Sequence, residues 1–388
     1  MYADDIVILA DEIDVMQRMI QKLEEYCKIW NMEVNMEKSK IMVFRKGGKL
    51  SSKEKWLYNG TEISITSEYS YLGLTFTPKL SLRKQIQERN QLAKNSINTT
   101  WNCFLSKPNV SIKTKWKLFL AISRSIQSYG SQIWGFSHFD EVDQLTLYFL
   151  KKVLKMPSFT PTYIMMLETG VENGHIYTLN NHLNYITRIL YDYKDDRLPK
   201  ILAKKVMRHE IFWKTHINSL TLQNSTEAFT PNLSKQCWLQ NIQNLLQNIR
   251  ATKTNDALSN ANNTHRFYSK LQPTFGGLYF VEPLMQDELM WILKARSGMF
   301  SLNSNRFQTN SNPICSMCNT VEIENIQHFL GRCPALKEFR LMFFQMPIIN
   351  ESDLINILNG NVIHWKSLAS YLKTCMLYRN QLLSEFNI

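Results

Sequence analysis

The sequence has 388 residues, 44% of them hydrophobic and 20% charged, which is typical of a globular protein with more than one folding unit. Its formal net charge of +12 favours a nucleic-acid partner, because lysine and arginine release condensed counterions from phosphate backbones; a merely solubilising surface is the alternative. An acidic N-terminus, scattered cysteines and the lack of an apolar run of about 20 residues argue against a signal peptide, a disulfide framework and a membrane span. We therefore expect an intracellular protein of the nucleus or cytoplasm that is not secreted and has no membrane partner.

The start of the chain is predicted to be mixed α/β. The β-branched run Ile6–Leu9 predicts a buried strand, and Ile41–Phe44 predicts a second one. Between them, apolar residues recur at helical spacing, and Asp11 is a plausible N-cap for that helix. This first region therefore combines a small sheet with one helix.

Residues 56–65 and 69–76 have the pattern of β-hairpin strands. Asn59-Gly60 is a candidate turn between strands, because both residue types tolerate positive φ. Tyr71-Leu72-Gly73 falls within a predicted strand. From its residue types alone, we would interpret it as a plain buried strand.

From residue 81 onward the pattern becomes helical and basic. One face of a predicted helix is apolar, and it carries Ile112, Trp116, Phe119, Leu120 and Ile126. Lys113, Lys117 and Arg124 are expected to lie largely off that face. The pattern predicts an amphipathic helix that packs on one side and offers positive charge on the other. Farther along, the polar stretches 223–235 and 251–265 are predicted loops or linkers.

Tyr2-Ala3-Asp4-Asp5 directly precedes the predicted strand Ile6–Leu9. Two adjacent carboxylates at a turn can hold Mg²⁺, which prefers oxygen ligands and leaves positions open for water and phosphate. In two-metal nucleotidyl transfer such ions activate the attacking oxygen and stabilise the leaving pyrophosphate. An Asp-Asp pair alone would be an ordinary acidic turn; the whole tetrapeptide before a buried strand is more specific.

The last motif is Cys315-x2-Cys318-x9-His328-x4-Cys333. Three thiolates and one imidazole suit tetrahedral Zn²⁺, and a C-x2-C knuckle supplies two ligands from one turn. Such a site would help to fold its own segment. The alternative is a chance clustering of reduced cysteines.

Several of these segments together resemble the reverse transcriptases of non-LTR retrotransposons (LINE or jockey-like). Tyr2-Ala3-Asp4-Asp5 is similar to their catalytic turn, and residues 35–40 resemble the N-x-x-K-[ST] segment that follows it. The resemblance implies that Lys38 lies near the incoming triphosphate and that Tyr71-Leu72-Gly73 contacts the primer end. Residues 128–135 resemble the Y-G-x-x-x-W-G of the thumb, in which Tyr129 and Trp134 are expected to be core residues.

The resemblance implies an α+β fold with five regions. These are the end of the palm (1–80), a basic helical thumb (81–170), a helical connection (171–300), a CCHC zinc module (301–346) and C-terminal helices (347–388). The implied partners are an RNA template and an RNA–DNA duplex along the thumb, with target DNA as a further candidate. The zinc module would grip RNA or target DNA, or it would be purely structural.

In this family the catalytic turn joins two strands, and a third metal-binding Asp and the fingers precede it. We therefore expect this chain, as a truncated copy or a partial gene product, to lack polymerase activity on its own. Two alternatives stay open: a zinc-containing module that binds RNA or DNA, and a transposon remnant without function.

Overall fold

The computed structural model describes residues 5–209, 212–230, 233–305 and 312–385. The chain divides into two compact units, Met1–Glu88 and Arg89–Ile388. Within the described residues, the two small β-sheets lie in the first unit, and the second unit is mainly helical. The α+β class expected from the sequence is therefore confirmed. No helix in the described ranges is long and apolar enough to cross a bilayer.

The first unit packs one helix against a small hairpin. Helix α1 covers Ile13–Ile29, and strands β1 (Leu57–Tyr58) and β2 (Thr61–Glu62) pair antiparallel. The Trp56 indole N–H donates to the Ile13 carbonyl at 3.1 Å. The Gln17 side chain bonds both backbone groups of Leu57, at 2.8 and 2.9 Å. These contacts join α1 to the hairpin over a small core of Ile20, Trp56, Tyr58 and Ile63.

Two tight turns shape the strands of this unit. Asn59 and Gly60 both have positive φ, 46° and 78°, so the predicted Asn-Gly turn between β1 and β2 is confirmed. Strands β3 (Tyr69–Tyr71) and β4 (Leu74–Phe76) form a second hairpin. The prediction that Tyr71-Leu72-Gly73 lies wholly in a strand is wrong, because Leu72 and Gly73 are the turn, with φ of 48° and 73°.

Two other predicted strands are absent from the described residues. Residues 6–10 have no regular secondary structure, and Leu9 is 75% exposed. Ile41–Phe44 contributes a single bridge between Ile41 and Ile65. A strand needs a hydrogen-bonded neighbour, which residues 6–10 do not have within the described part of this unit. Glu12 rather than Asp11 is the N-cap of α1.

Helix α2 (Arg83–Thr100) crosses the boundary between the units, and the remaining helices belong to the second unit. They are α3 (Ile112–Phe119), α4 (Ser125–Gln127), α5 (Ser131–Trp134), α6 (Asp140–Val153), α7 (Thr162–Thr169), α8 (Gly174–Asp192), α9 (Leu198–Arg208), α10 (Phe212–Gln223), α11 (Lys235–Thr264), α12 (Gln286–Arg296), α13 (Lys337–Phe344), α14 (Glu351–Leu358) and α15 (Trp365–Glu385). Four π-helical segments accompany them: Trp101–Leu105, Leu120–Arg124, Gly277–Val281 and His328–Arg332.

The second unit has one large apolar core that extends from Ala93 to Met376. A smaller core surrounds Trp238 on α11. The regions predicted as thumb, connection, zinc module and C-terminal helices all contribute to the large core. The predicted boundaries between those regions stay predictions.

The predicted loop at 251–265 is wrong, because α11 continues to Thr264. Asn and Thr are weak helix formers, but Ala257 and Ala261 lie four residues apart and are buried. Burial of this face therefore outweighs local propensity. The other predicted loop is confirmed for residues 224–230.

A fully buried ion pair lies in the second unit. The Arg296 guanidinium binds both oxygens of Glu168, at 2.8 and 2.9 Å, and neither side chain is exposed. The Tyr268 and Tyr279 hydroxyls each donate to Glu168 at 2.9 Å. Because both charges are fully hydrogen-bonded, the pair can be held inside the core and joins α7 to α12.

Candidate metal centre and catalytic turn

Asp5 is the part of the predicted catalytic turn that belongs to the described residues. Tyr2, Ala3 and Asp4 lie outside the described residues. Asp5 is described and exposed. Among the described residues, Asp5 belongs to no group of three or more metal-binding side chains.

Lys38 lies in an exposed turn next to the second hairpin. The Asn35 side-chain oxygen accepts from the Lys38 backbone N–H at 3.0 Å, which explains an Asn three residues before the lysine. The Tyr69 hydroxyl donates to the Lys38 carbonyl at 3.2 Å. The structure therefore brings the Lys38 segment beside β3, the strand that ends at Tyr71.

Gln85 supports the turn at Gly73. Its side chain accepts from the Thr75 N–H at 2.8 Å and donates to the Gly73 carbonyl at 3.2 Å. Gln85 is buried near the start of α2. These two hydrogen bonds attach the Leu72-Gly73 turn to helix α2.

Cys315, Cys318, His328 and Cys333 form a single cluster, and their ligand atoms all lie within 4.8 Å of one another. The Cys315 and Cys333 sulfurs are 3.9 Å apart, and the Cys318 sulfur is 3.4 Å from His328 Nε2. Zn–S bonds of about 2.3 Å at tetrahedral angles place two sulfurs about 3.8 Å apart. The donor set and its spacing fit a tetrahedral metal ion, as the sequence predicts.

Local backbone structure brings these four ligands together. Ile314 and Ile323 form an antiparallel bridge, and the Cys315 N–H donates to the Glu322 carbonyl at 2.9 Å, so the knuckle is closed at its base. The π-helical segment His328–Arg332 follows. Its wide turn ends with a bond of 2.7 Å from the Cys333 N–H to the His328 carbonyl.

The pKa values of the two buried cysteines, Cys315 and Cys333, shift in opposite directions. The contact with the Cys333 thiol lowers the pKa of Cys315 to about 5. The same contact, together with burial, raises the pKa of Cys333. A bound cation would favour the thiolate form of both cysteines, so metal binding at this cluster would release protons.

Glu322 lies beside the histidine of the cluster. Its carboxylate lies 3.2 Å from His328 Nδ1 and 3.0 Å from the Arg332 guanidinium. Nδ1 makes no hydrogen bond within the described part of the chain, so the carboxylate lies close to the ring without fixing its orientation.

A buried network connects the knuckle to α15. Glu324 and Arg379 form two hydrogen bonds of 2.8 and 2.6 Å, and both side chains are buried. Asn303 donates its backbone N–H to Glu324 at 2.8 Å and its amide to the Ile314 carbonyl at 2.7 Å. Glu324 also lies 4.0 Å from the Cys315 sulfur. The sequence did not reveal this network, because no local spacing relates residues so far apart in the chain.

The predicted basic helix is only partly a charged surface. Lys113 and Lys117 on α3 are exposed. The expectation that Arg124 is also on the surface is wrong: it is 3% exposed and donates to the Thr146 hydroxyl at 2.7 Å. The π-helical segment Leu120–Arg124 changes the number of residues per turn, so the regular helical spacing fails at Arg124.

A lysine-rich aromatic face lies on α2, the π-helical segment Trp101–Leu105 and α6. It consists of Lys94, Asn98, Trp101, Tyr148 and Lys152. The Lys152 ammonium lies 4.5 Å from the centre of the Trp101 ring and donates to Asn98 at 2.6 Å. The Tyr148 hydroxyl donates to the same Asn98 oxygen at 3.0 Å. Basic and aromatic groups in this combination suit a nucleic-acid backbone, and the sequence motifs did not single them out.

The segment that resembles a thumb motif is structural. Trp134 is 1% exposed, as expected, whereas the expectation that Tyr129 is a core residue is wrong, because its ring is exposed and lies 4.4 Å from the Arg89 guanidinium carbon. Gly130 has a φ of 77° and is the N-cap of α5. A Cβ on Gly135 would lie 2.1 Å from the Thr178 carbonyl oxygen. The second glycine is therefore needed where α5 meets α8.

Comparison with known proteins finds similarity to reverse transcriptases, as the motifs indicate. Residues 1–76 match the family Reverse transcriptase (RNA-dependent DNA polymerase). The chain is 28% identical over 140 residues to an uncharacterised transposon-derived protein of Caenorhabditis elegans, covering 35% of this chain and 48% of that protein. It is also similar to the RNA-directed DNA polymerases from mobile element jockey of Drosophila funebris (26% over 171 residues) and Drosophila melanogaster (22% over 170 residues). No solved structure matches the chain.

The matching region covers 42% of this chain and 18% of each jockey polymerase. The chain therefore spans about half of one relative and less than a fifth of the other two. The Tyr-Ala-Asp-Asp sequence at residues 2–5, Lys38 and the second hairpin all lie in the part that matches the family. The chain is thus similar to reverse transcriptases over residues 1–76 and to the jockey polymerases over 42% of its length.

Proposed function

We propose that the chain is the C-terminal part of a non-LTR retrotransposon polymerase and serves RNA-templated DNA synthesis. The observation that carries this proposal is the family match over residues 1–76, which contains the Tyr-Ala-Asp-Asp turn. Asp4 and Asp5 would hold Mg²⁺, which would supply the charge that nucleotidyl transfer needs at the attacking and leaving oxygens.

Lys38 and the second hairpin would contribute to the same site. The Lys38 ammonium can neutralise or protonate a leaving group, and it is exposed and available. The bond from the Tyr69 hydroxyl to the Lys38 carbonyl supports a shared site for Lys38 and the Tyr71-Leu72-Gly73 turn. By the family resemblance, this turn and residues Tyr2 and Ala3 would lie near the nucleotide and the primer end.

We further propose that the Cys/His cluster holds Zn²⁺. Three sulfurs and one imidazole nitrogen within 4.8 Å of one another support a tetrahedral ion with no open position. Zn²⁺ there would fix the knuckle between residues 315 and 333. Its role would be to shape a nucleic-acid-binding surface and not to perform catalysis.

The helical unit would bind the RNA template and the RNA–DNA duplex, with target DNA as a further partner. Exposed Lys113 and Lys117 and the lysine-rich aromatic face support contacts to phosphates. Such contacts read backbone shape and carry no base sequence. Arg124 is left out of this surface, because it is buried.

Two-metal catalysis draws carboxylates from more than one segment, and by the family resemblance a further metal-binding Asp comes from a segment that precedes the turn. We therefore expect the 388-residue polypeptide alone to extend no primer on a primed RNA template with Mg²⁺ and nucleotides. Template-dependent synthesis that disappears in Asp4→Ala would contradict this expectation and establish the chain as a polymerase in its own right. The alternative function, a nucleic-acid-binding module with an inactive turn, requires that RNA binding survive the same substitution.

A further inference from the structure

Arg340 on α13 is a buried cation beside the Cys/His cluster, and it is 1% exposed. Its Nη2 donates at 2.8 Å to the carbonyl of Cys333, one of the four candidate ligand residues. Its Nε donates to the Pro347 carbonyl, also at 2.8 Å. Nη1 is buried and has no hydrogen-bond partner within the described part of the chain. The guanidinium is therefore held against the cluster with part of its hydrogen-bonding capacity unused.

The protein groups next to Arg340 do not balance its charge. Among the described residues, Arg340 forms no ion pair with a carboxylate, unlike Arg296 and Arg379. Two ionisable side chains of α15, Tyr371 and Cys375, lie close to the guanidinium. Burial raises the pKa of both, that of Cys375 to about 12, so both are neutral at pH 7. An isolated charge in a protein interior is costly, so a counter-charge is expected nearby.

The other charged groups beside the cluster cancel in pairs. The Glu322 carboxylate lies 3.0 Å from the Arg332 guanidinium, and Glu324 is paired with Arg379 at 2.6 Å. A divalent ion bound by three thiolates and a neutral imidazole keeps one net negative charge, because the thiolates contribute three negative charges and the ion two positive ones. The single positive charge of Arg340 matches that remaining charge.

We propose that Arg340 is the counter-ion of the metal–thiolate centre and favours a divalent ion in the Cys/His cluster. Its hydrogen bond to the Cys333 carbonyl holds the positive charge beside a ligand residue. Opposite charges attract more strongly in a protein interior than in water, so this charge stabilises the loaded centre. The inference rests on the proposed function, because it assumes that the cluster holds Zn²⁺.

Hydrogen bonding alone does not explain an arginine at this position. The carbonyls of Cys333 and Pro347 could accept from an uncharged amide, which costs less to bury than a guanidinium. A charge is useful there only if an opposite charge forms close by. The two roles of Arg340, donor and counter-ion, can therefore be separated by substitution.

Arg340→Lys keeps the charge but loses the planar fork of donors, whereas Arg340→Gln keeps an amide donor and loses the charge. The Zn²⁺ affinity of the 388-residue chain is measured by competition with a chromophoric chelator. We expect Arg340→Gln to bind Zn²⁺ about 10- to 100-fold more weakly than the parent, and Arg340→Lys to stay within about threefold of it. Lys337→Met, which removes an exposed charge from the same helix, is the matched control and should change the affinity by less than about threefold.

Urea unfolding of the metal-free variants shows whether the substitutions damage the fold, and both Arg340 variants should unfold cooperatively. An affinity loss in Arg340→Lys as large as that in Arg340→Gln, or no loss in Arg340→Gln, would overturn the counter-ion role and leave the zinc proposal intact. A metal-free Arg340→Gln protein that does not fold would also overturn it, because Arg340 would then be needed for the fold itself. A parent protein that binds no Zn²⁺ would overturn both.

Discussion

His182 on α8 is a buried histidine whose two ring nitrogens are both used. Its Nδ1 donates to the Gln132 carbonyl at 2.8 Å, and its Nε2 accepts from the Trp213 indole N–H at 2.7 Å. Burial lowers its pKa to about 4. A second proton would displace the Trp213 bond and leave a charge in an apolar environment. The fold therefore requires the neutral ring.

This requirement predicts an acid-sensitive fold. Between about pH 6.5 and pH 4 the unfolded chain takes up a proton that the folded chain refuses, so stability falls as the pH falls through this window. From pH 7 to pH 5, His182 should cost about 2 kcal/mol of unfolding free energy. Urea unfolding of the parent and of His182→Gln at both pH values measures the difference. Equal pH dependence in the two proteins would be inconsistent with this role of His182.

The sequence predicted residues well where the chemistry is local. The spacing of Cys315, Cys318, His328 and Cys333 indicated a metal cluster, and all four side chains converge. It missed Glu324 and Arg379, because their pairing depends on how α15 packs against the knuckle. A carboxylate and a guanidinium have many surface roles in a sequence, and only burial shows that these two are a structural pair.

Secondary-structure elements were predicted less accurately than the metal-binding residues. The Asn59-Gly60 turn was correct, because its backbone conformation is set by the two residues themselves. The strand at Ile6–Leu9 was wrong, because a strand depends on a neighbour that its own residues do not specify. Arg124 was predicted to lie on the surface but is buried, because a π-helical segment interrupts the regular helical period there.

At the level of elements, α15 should control the knuckle through Arg379. Arg379→Met leaves Glu324 buried without its partner, which typically costs about 3–5 kcal/mol. Without Arg379, Glu324 should shift away from Cys315. Metal affinity should then fall about 10- to 100-fold, as is usual when a residue that supports the metal ligands is lost. Co²⁺ absorption titrations measure that affinity directly.

Lys373→Met, an exposed change on the same helix, is the control for Arg379→Met. The double variant Glu324→Leu, Arg379→Met removes both charges and should regain stability. Co²⁺ affinity in Arg379→Met equal to that of Lys373→Met would show that α15 has no influence on the metal centre.

In the molecule as a whole, a small sheet-bearing unit carries the segments that match a reverse transcriptase. The larger helical unit carries the Cys/His cluster and the lysine-rich aromatic face. Its regions share one core, so the Cys/His module is not an independent appendage. A ligand of the module is therefore expected to stabilise the whole helical unit.

We propose that this helical unit binds nucleic acid through phosphates, with the Cys/His module as part of the surface. The most direct measurement is the affinity of the 388-residue chain for a labelled RNA–DNA duplex over a series of salt concentrations. We predict a steep loss of affinity with salt, and a slope reduced by about 2 in Lys113→Ala, Lys117→Ala, because each lysine contact releases about one counterion. Lys366→Ala, Lys373→Ala removes two exposed lysines of α15 as a control.

In the same titration, Asp4→Ala, Asp5→Ala should bind as the parent does, and Cys315→Ser should bind more weakly. A parent affinity that does not change with salt, or an α3 double variant whose slope equals that of the α15 control, would contradict the claim.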